Sequence, residues 1–230
     1  MKPARTVITR APALAVGAVH ATWLQESPIH HEGMLEKSAI EILLLLPGIR
    51  LIEHQPFTVV LDVNGVDRKY TPDLRITFDD GSQVVVEVKP RVFVERNHWK
   101  FDRCAQLLWE RGQSFYVFDD TRIDKQRARR AADFRSLARR EVRCIELNRM
   151  LGWLHAPGVK TLAAAQAAGF DQLLVGHAIG RRLLTIGPDL NLAPETALRL
   201  MESQIGNLHL DRWLGGPPWP TDMATRPSPD

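Results

Sequence analysis

Residues 70–90 read YTPDLRITFDDGSQVVVEVKP. An Asp-Asp-Gly turn signal at 79–81 separates two runs rich in strand-forming residues, the pattern of an antiparallel hairpin. With Asp79-Asp80-Gly81 as a three-residue loop and Gly81 in the left-handed conformation, Phe78 pairs with Ser82. Continued outward, that register sets Asp73 directly opposite Glu87. A two-residue loop at Asp80-Gly81 would set Asp73 across from Val88, on the wrong face. Along the second strand Gln83, Val85, Glu87 and Lys89 share one face, and Val84, Val86 and Val88 the other. The apolar face is expected to pack on helices. The opposite face then carries two carboxylates and an ammonium together at one end. Pro72, which has no N–H, suits a strand start or an edge.

Two carboxylates so placed repel each other unless a cation lies between them. Hard oxygen donors suit Mg²⁺, with Mn²⁺ as a substitute, because these ions keep several waters and take one or two carboxylates. Such an ion polarises a phosphate oxygen and lowers the pKa of a bound water. Lys89, protonated, is no ligand; it can orient that water or offset charge in the transition state. The ordinary alternative is a surface hairpin with cross-strand Asp–Lys and Glu–Lys pairs, worth a few tenths of a kcal/mol. The valine-rich strand weighs against that exposure.

Outward from the hairpin, HEGMLEKSAIEILLLLPGIR predicts a helix from about Glu32 to Leu46, stopped by Pro47-Gly48 and buried in its second half. FTVVLDV and an Asn64-Gly65 turn precede the two hairpin strands. A helix from about Arg96 to Arg111, a strand at SFYVF and a basic helix from about Lys125 to Arg140 follow. Helix, strands, helix, strand, helix is an α/β arrangement around one sheet. The chain divides on this reading into an N-terminal extension without firm structure (1–31), the α/β domain (32–145), a small, mainly helical C-terminal domain (146–205) that would suit a winged helix as well as a docking surface, and a disordered Pro-rich tail (206–230).

The chain has 230 residues, 44% of them hydrophobic and 25% charged, with a net charge of +3. That is the balance of a globular protein leaning toward an anionic partner. The charge is uneven: between Arg122 and Arg143 nine basic residues face three acids, and eight of the nine are Arg. Arginine suits phosphate recognition, so Lys125, Arg127, Arg129 and Arg130 are candidate contacts to the backbone of double-stranded DNA, with a solvated helix face as the alternative. Cys104 and Cys144 match neither a metal nor a disulfide framework and fit small core positions in a reducing, cytoplasmic setting. The Ala-rich run at 11–21, broken by Pro12 and Gly17, makes a poor signal peptide. The apolar run Ile42 to Leu46 is far short of the ~20 residues that span a membrane. His30 and His31 read as solvated loop residues, and Trp99, Trp109 and Trp153 as core.

Pro72-Asp73 with Glu87-Val88-Lys89 resembles the PD-(D/E)xK nuclease pattern, whose scaffold is a restriction-endonuclease-like mixed sheet flanked by helices. The segment KSAIEILLLLPGIRLIEHQPFTV resembles the S-x-x-E helix and E-x-Q-P stretch that precede this motif in TnsA-type transposon endonucleases. The resemblance runs from about Met34 to Arg140. It implies Glu41 as the helix carboxylate that completes a metal site with Asp73, Glu87 and Val88, and Lys89 as the catalytic lysine; Gln55-Pro56 would be a structural strand start near the site. Read from the residues alone, Glu41 could instead pair with Lys37 on the helix surface, and Glu36 is the alternative carboxylate. The resemblance further implies an Mg²⁺-dependent DNA endonuclease, a hydrolase of DNA transposition and recombination, working with a transposase subunit and an AAA+ regulator. A stand-alone defence or repair nuclease of the same fold, and a non-catalytic DNA-binding scaffold, are the other readings.

Overall fold

The structure, a computed structural model, describes residues 16–63, 65–202, 206–207 and 209–220. Two short antiparallel strands, β1 (Gly17–Val19) and β2 (Ile29–His31), lead into helix α1 (Met34–Leu43). From residue 16 onward the expected extension is therefore folded. Its apolar residues Val19, Ala21 and Ile29 are buried in the same core as α1, which is what ties the segment down. Residues 1–15 lie outside the described residues. Helix α1 stops at Leu43, three residues before the expected Leu46. The chain turns over 44–46 ahead of Pro47, which disfavours helical geometry in the residue before it, and Gly48 follows at φ 75°.

Strands β3 (Ile49–His54), β4 (Val59–Val63), β5 (Val66–Tyr70), β6 (Leu74–Phe78) and β7 (Gln83–Lys89) follow, then helices α2 (Arg91–Arg96) and α3 (His98–Trp109), strand β8 (Ser114–Asp119) and helix α4 (Lys125–Ala138). The main sheet runs β3-β6-β7-β8, antiparallel except for the parallel pair β7–β8. This is a mixed sheet flanked by helices. Among the described residues, strands β4 and β5 pair only with each other; Asn64, half of their expected turn, lies outside the described residues. The β6–β7 hairpin has the three-residue loop. Leu74 faces Val86 and Thr77 faces Gln83, the Phe78 N–H donates to the Ser82 carbonyl at 2.9 Å, and Gly81 sits at φ 85°.

Strand β7 is covered on both faces, where one apolar face was expected. Val84, Val86 and Val88 join a core with Ile40 of α1 and Ala131 and Phe134 of α4, while Val85 packs with Phe101, Cys104 and Leu108 of α3. The cause is topological: a parallel partner needs a long crossover, and that crossover carries α3 across the second face. The crossover is two helices rather than one, interrupted at Asn97, whose side-chain amide donates to the Phe93 carbonyl at 2.7 Å.

Beyond α4 come α5 (Cys144–His155), α6 (Leu162–Ala167), α7 (Gln172–Gly180), a two-residue ladder of β9 (Leu184–Thr185) with β10 (Arg199–Leu200), and α8 (Leu210–Leu214). Helix α7 lies directly on α4. A side chain at Gly180 would run into the Phe134 carbonyl oxygen, and one at Gly176 into Leu137. Val175 and Ala178 share the core that holds the sheet's Val84 and Val86, so the expected boundary at 145/146 is not a boundary in the packing. The tail expected to be disordered is ordered in its described part. Trp213 and Leu214 are buried, and Trp219 bonds through its N–H to the Phe115 carbonyl and through Nε1 to Asp102, both at 2.7 Å. These large apolar groups anchor a segment whose prolines alone suggested a coil. Cys104 is a core thiol pushed up to about 12 by burial, whereas Cys144, expected in the core, is exposed at the start of α5. Among the described residues no helix is long and apolar enough to cross a membrane.

Candidate active site

Asp73 lies one residue before β6 and continues its register toward Glu87. Two backbone N–H groups fix it: that of Gln55 donates to the Asp73 carbonyl at 2.7 Å, and that of Val88 donates to Asp73 Oδ2 at 2.8 Å. Gln55 achieves this from φ 43°, a left-handed conformation uncommon outside glycine and typical of constrained sites. Gln55-Pro56 was expected to start a strand near the site; it instead follows the end of β3 at His54 and precedes β4, which begins at Val59. Glu87 is only 1% exposed. Its Oε2 accepts from the Tyr70 hydroxyl at 2.6 Å, and its Oε1 lies 3.3 Å from Lys89 Nζ. Tyr70 was not among the candidates read from the sequence. The available signal was a lone aromatic residue closing a mostly polar strand two positions before Pro72. Above its ring, at 4.2 Å from the centroid, stands Lys100 Nζ of α3.

The third carboxylate at this cluster is Glu36, not Glu41. Five residues separate them on α1, a rotation of about 140° net, so they cannot face the same point. Glu36, in the first turn, interacts electrostatically with Asp73, Glu87 and Lys89, and its Oε2 accepts the Glu32 N–H at 2.7 Å. Glu41 is buried against α4, where Arg135 Nε donates to its Oε2; its Oε1 has no hydrogen-bond partner. Neither the metal-site role implied for Glu41 nor its pairing with Lys37 matches this geometry. Val88, implied as a ligand, is engaged through its N–H with Asp73.

The charges do not balance. Burial, then the neighbouring Glu87 and Glu36, push the Asp73 carboxyl well above its ordinary value; Lys89 and the Val88 N–H offset this only in part. Burial likewise raises Glu36. Lys89 is pulled down by burial, yet Glu87 and Asp73 more than restore it, so its ammonium holds its proton more firmly than a free lysine. Burial and mutual repulsion thus leave this cluster short of positive charge, with Lys89 as its ammonium. Among the described residues no three His, Cys, Asp or Glu side chains are grouped to hold a metal unaided. The donor set still fits Mg²⁺, which takes one or two carboxylates and completes its shell with water and phosphate oxygens. Asp73 and Glu87 are the residues that would hold it.

The basic helix is mostly structural. Arg127 is buried, donates through Nη1 to the Arg122 carbonyl and through Nη2 to the Trp213 carbonyl, and is lowered to about 10 by that burial. Arg130 binds the Asp189 carbonyl through Nε and Nη2. Arg135 holds Glu41, and Arg139 the His20 carbonyl. Of the four candidate DNA contacts, Lys125 and Arg129 alone are exposed. His30 and His31 lie in β2 instead of a loop, with His30 edge-on to His54 at 4.7 Å. Trp153 packs against Phe170, whereas Trp99 and Trp109, expected in the core, are exposed. A comparison with known protein families finds none that matches this chain, and no curated protein matches its sequence.

Proposed function

We propose that the chain is a divalent-cation-dependent DNA endonuclease with a restriction-endonuclease-like core. One observation carries the reading: the hairpin register and the Val88 N–H bring Asp73 to buried Glu87 and to Lys89, leaving an excess of negative charge that a hard cation relieves. A cation held there would supply Lewis acidity toward a phosphate oxygen. Asp73 and Glu87 bind and orient it, Glu36 adds negative potential from the start of α1, and Lys89 presents a fixed positive charge to the phosphate.

The finer assignment, a TnsA-like subunit of a heteromeric transposase acting at transposon ends, rests on the resemblance across residues 34–140. On that assignment the transposase and the AAA+ regulator are partners, and the isolated chain cleaves weakly. The test is nicking of supercoiled duplex in Mg²⁺ or Mn²⁺, alone and with a cognate transposase, by the wild type and Asp73→Ala. Cleavage that needs the metal and disappears with Asp73→Ala supports the reading; full cleavage by Asp73→Ala rejects it. The scaffold alternative draws on Glu87, whose two oxygens are both engaged by Tyr70 and Lys89. It predicts tight, salt-sensitive DNA binding with no bound metal.

A further inference from the structure

The segment that follows Lys89 presents apolar side chains to solvent at an unusual density. Val92 is 53% exposed, Phe93 44% and Trp99 45%, in a stretch where Val94 and Phe101 face the core. Large apolar groups left exposed within one short segment point to a binding surface. Cations frame them. The Arg96 guanidinium lies 5.9 Å from the centre of the Phe93 ring, and Lys100 follows Trp99 directly.

One end of this segment is fastened to the acids that close β8, next to Lys89, and the other to Tyr70 at the acid cluster. Helix α2 begins two residues after Lys89, where the Arg91 N–H donates to Asp120 Oδ1 at 2.8 Å and its Nη1 to Asp119 Oδ2 at 3.4 Å. At the other end Lys100 covers the ring of Tyr70, whose hydroxyl holds Glu87. The exposed rings therefore belong to chain that leaves the cluster at Lys89 and returns to it at Lys100.

We propose that α2 and the first turn of α3 form a stacking platform for unpaired bases of the DNA strand whose phosphate is engaged at Asp73, Glu87 and Lys89. This rests on the endonuclease reading and names the form of its substrate. A paired base offers its edge in a groove, while its faces are taken up by its neighbours. Exposed aromatic rings flanked by arginine and lysine match single strands, where each base stacks on a ring and the cations follow the backbone. A protein partner would make less use of the arginine and lysine beside these rings, and charge complementarity decides for nucleic acid. The site then takes a locally opened or frayed strand in preference to intact duplex.

The experiment is fluorescence anisotropy of a labelled oligothymidylate of about 15 nucleotides, and of a duplex of equal length, in EDTA so that nothing is cut. The wild type is expected to favour the single strand. Phe93→Ala/Trp99→Ala should weaken single-strand binding by roughly 30-fold, the loss of two stacked bases, and change duplex binding by no more than about twofold. Trp99→Phe, which keeps a ring, should retain most of the affinity. Circular dichroism establishes that the exposed positions tolerate the changes. Wild-type indifference between the two oligonucleotides, unchanged single-strand binding by the double variant, or an equal loss for both ligands each overturns the proposal. These binding measurements are made in EDTA and need neither metal nor cleavage. Failure of the platform therefore reads separately from failure of the endonuclease reading, which is decided by cleavage.

Discussion

The Tyr70 hydroxyl donates to Glu87 Oε2 at 2.6 Å, so a residue from the β4–β5 hairpin sets the orientation of a carboxylate on the central strand. Burial first, and Glu87 next, hold the phenol well above its ordinary value, so it stays a donor at any working pH. Tyr70→Phe keeps the ring under Lys100 and removes only the donor. It should cost about 1–3 kcal/mol of stability, because Glu87 Oε2 is left buried and unmatched. Loss of such an outer contact should also weaken Mn²⁺ binding by about 10–100-fold. Calorimetric titration and thermal melting measure the two; unchanged metal affinity would limit Tyr70 to a packing role.

Glu36→Gln and Glu41→Gln should separate cleanly. The first removes charge from the cluster and should reduce Mn²⁺ affinity and any cleavage while leaving the fold intact. The second breaks a buried pair with Arg135 and should destabilise by about 2–3 kcal/mol with metal affinity retained. Paired melting and metal titration of both variants decide which carboxylate belongs to the site.

Asp73 links the site to pH. Its folded-state value lies above the unfolded ~3.9, so the folded chain binds the extra proton and the associated stability is complete below that value. Stability is lost as pH rises through the raised value. Asp73→Asn should therefore flatten the fall of the urea midpoint over this window and raise it at neutral pH, since the amide oxygen can still accept the Val88 N–H. Mn²⁺ binding should run the other way in the wild type. A bound ion would expel the proton, so affinity should strengthen as pH rises across the same interval.

Arg127→Ala should behave as a stability variant. Its guanidinium ties the Arg122 and Trp213 carbonyls together, and their loss should cost about 1–3 kcal/mol. Lys125→Ala and Arg129→Ala should leave the melting temperature alone. If that face meets DNA, each should shallow the salt dependence of binding by close to one counterion. Binding isotherms over a salt series distinguish the two behaviours.

The register at Asp73 was legible because two local facts agree on it, the glycine that a three-residue loop requires and the alternation of the strand. The choice between Glu36 and Glu41 was not. The apolar flank at 42–46 correctly marked Glu41 as buried, but its partner, Arg135, lies far along the chain, and no local signal states which way α1 is rotated. The basic helix misled for the same reason. Arg127 and Arg130 look like any surface arginine until the Trp213 and Asp189 carbonyls arrive from the C-terminal segment. Tyr70 carries no charge, and nothing local in KYTP states that its hydroxyl reaches a carboxylate on another strand.

The glycine contacts between α7 and α4 bear on how this protein can be taken apart. Gly176 and Gly180 let α7 approach so closely that α4 has no solvent-tolerant surface on that side, and α4 in turn clamps α1 through Arg135 and Glu41. A fragment ending at residue 145 would bare Phe134 and Leu137 and should be recovered as aggregate rather than as an autonomous nuclease core. The intact chain should melt in a single calorimetric transition, with its C-terminal helices serving as part of the frame that fixes α1, the helix carrying Glu36.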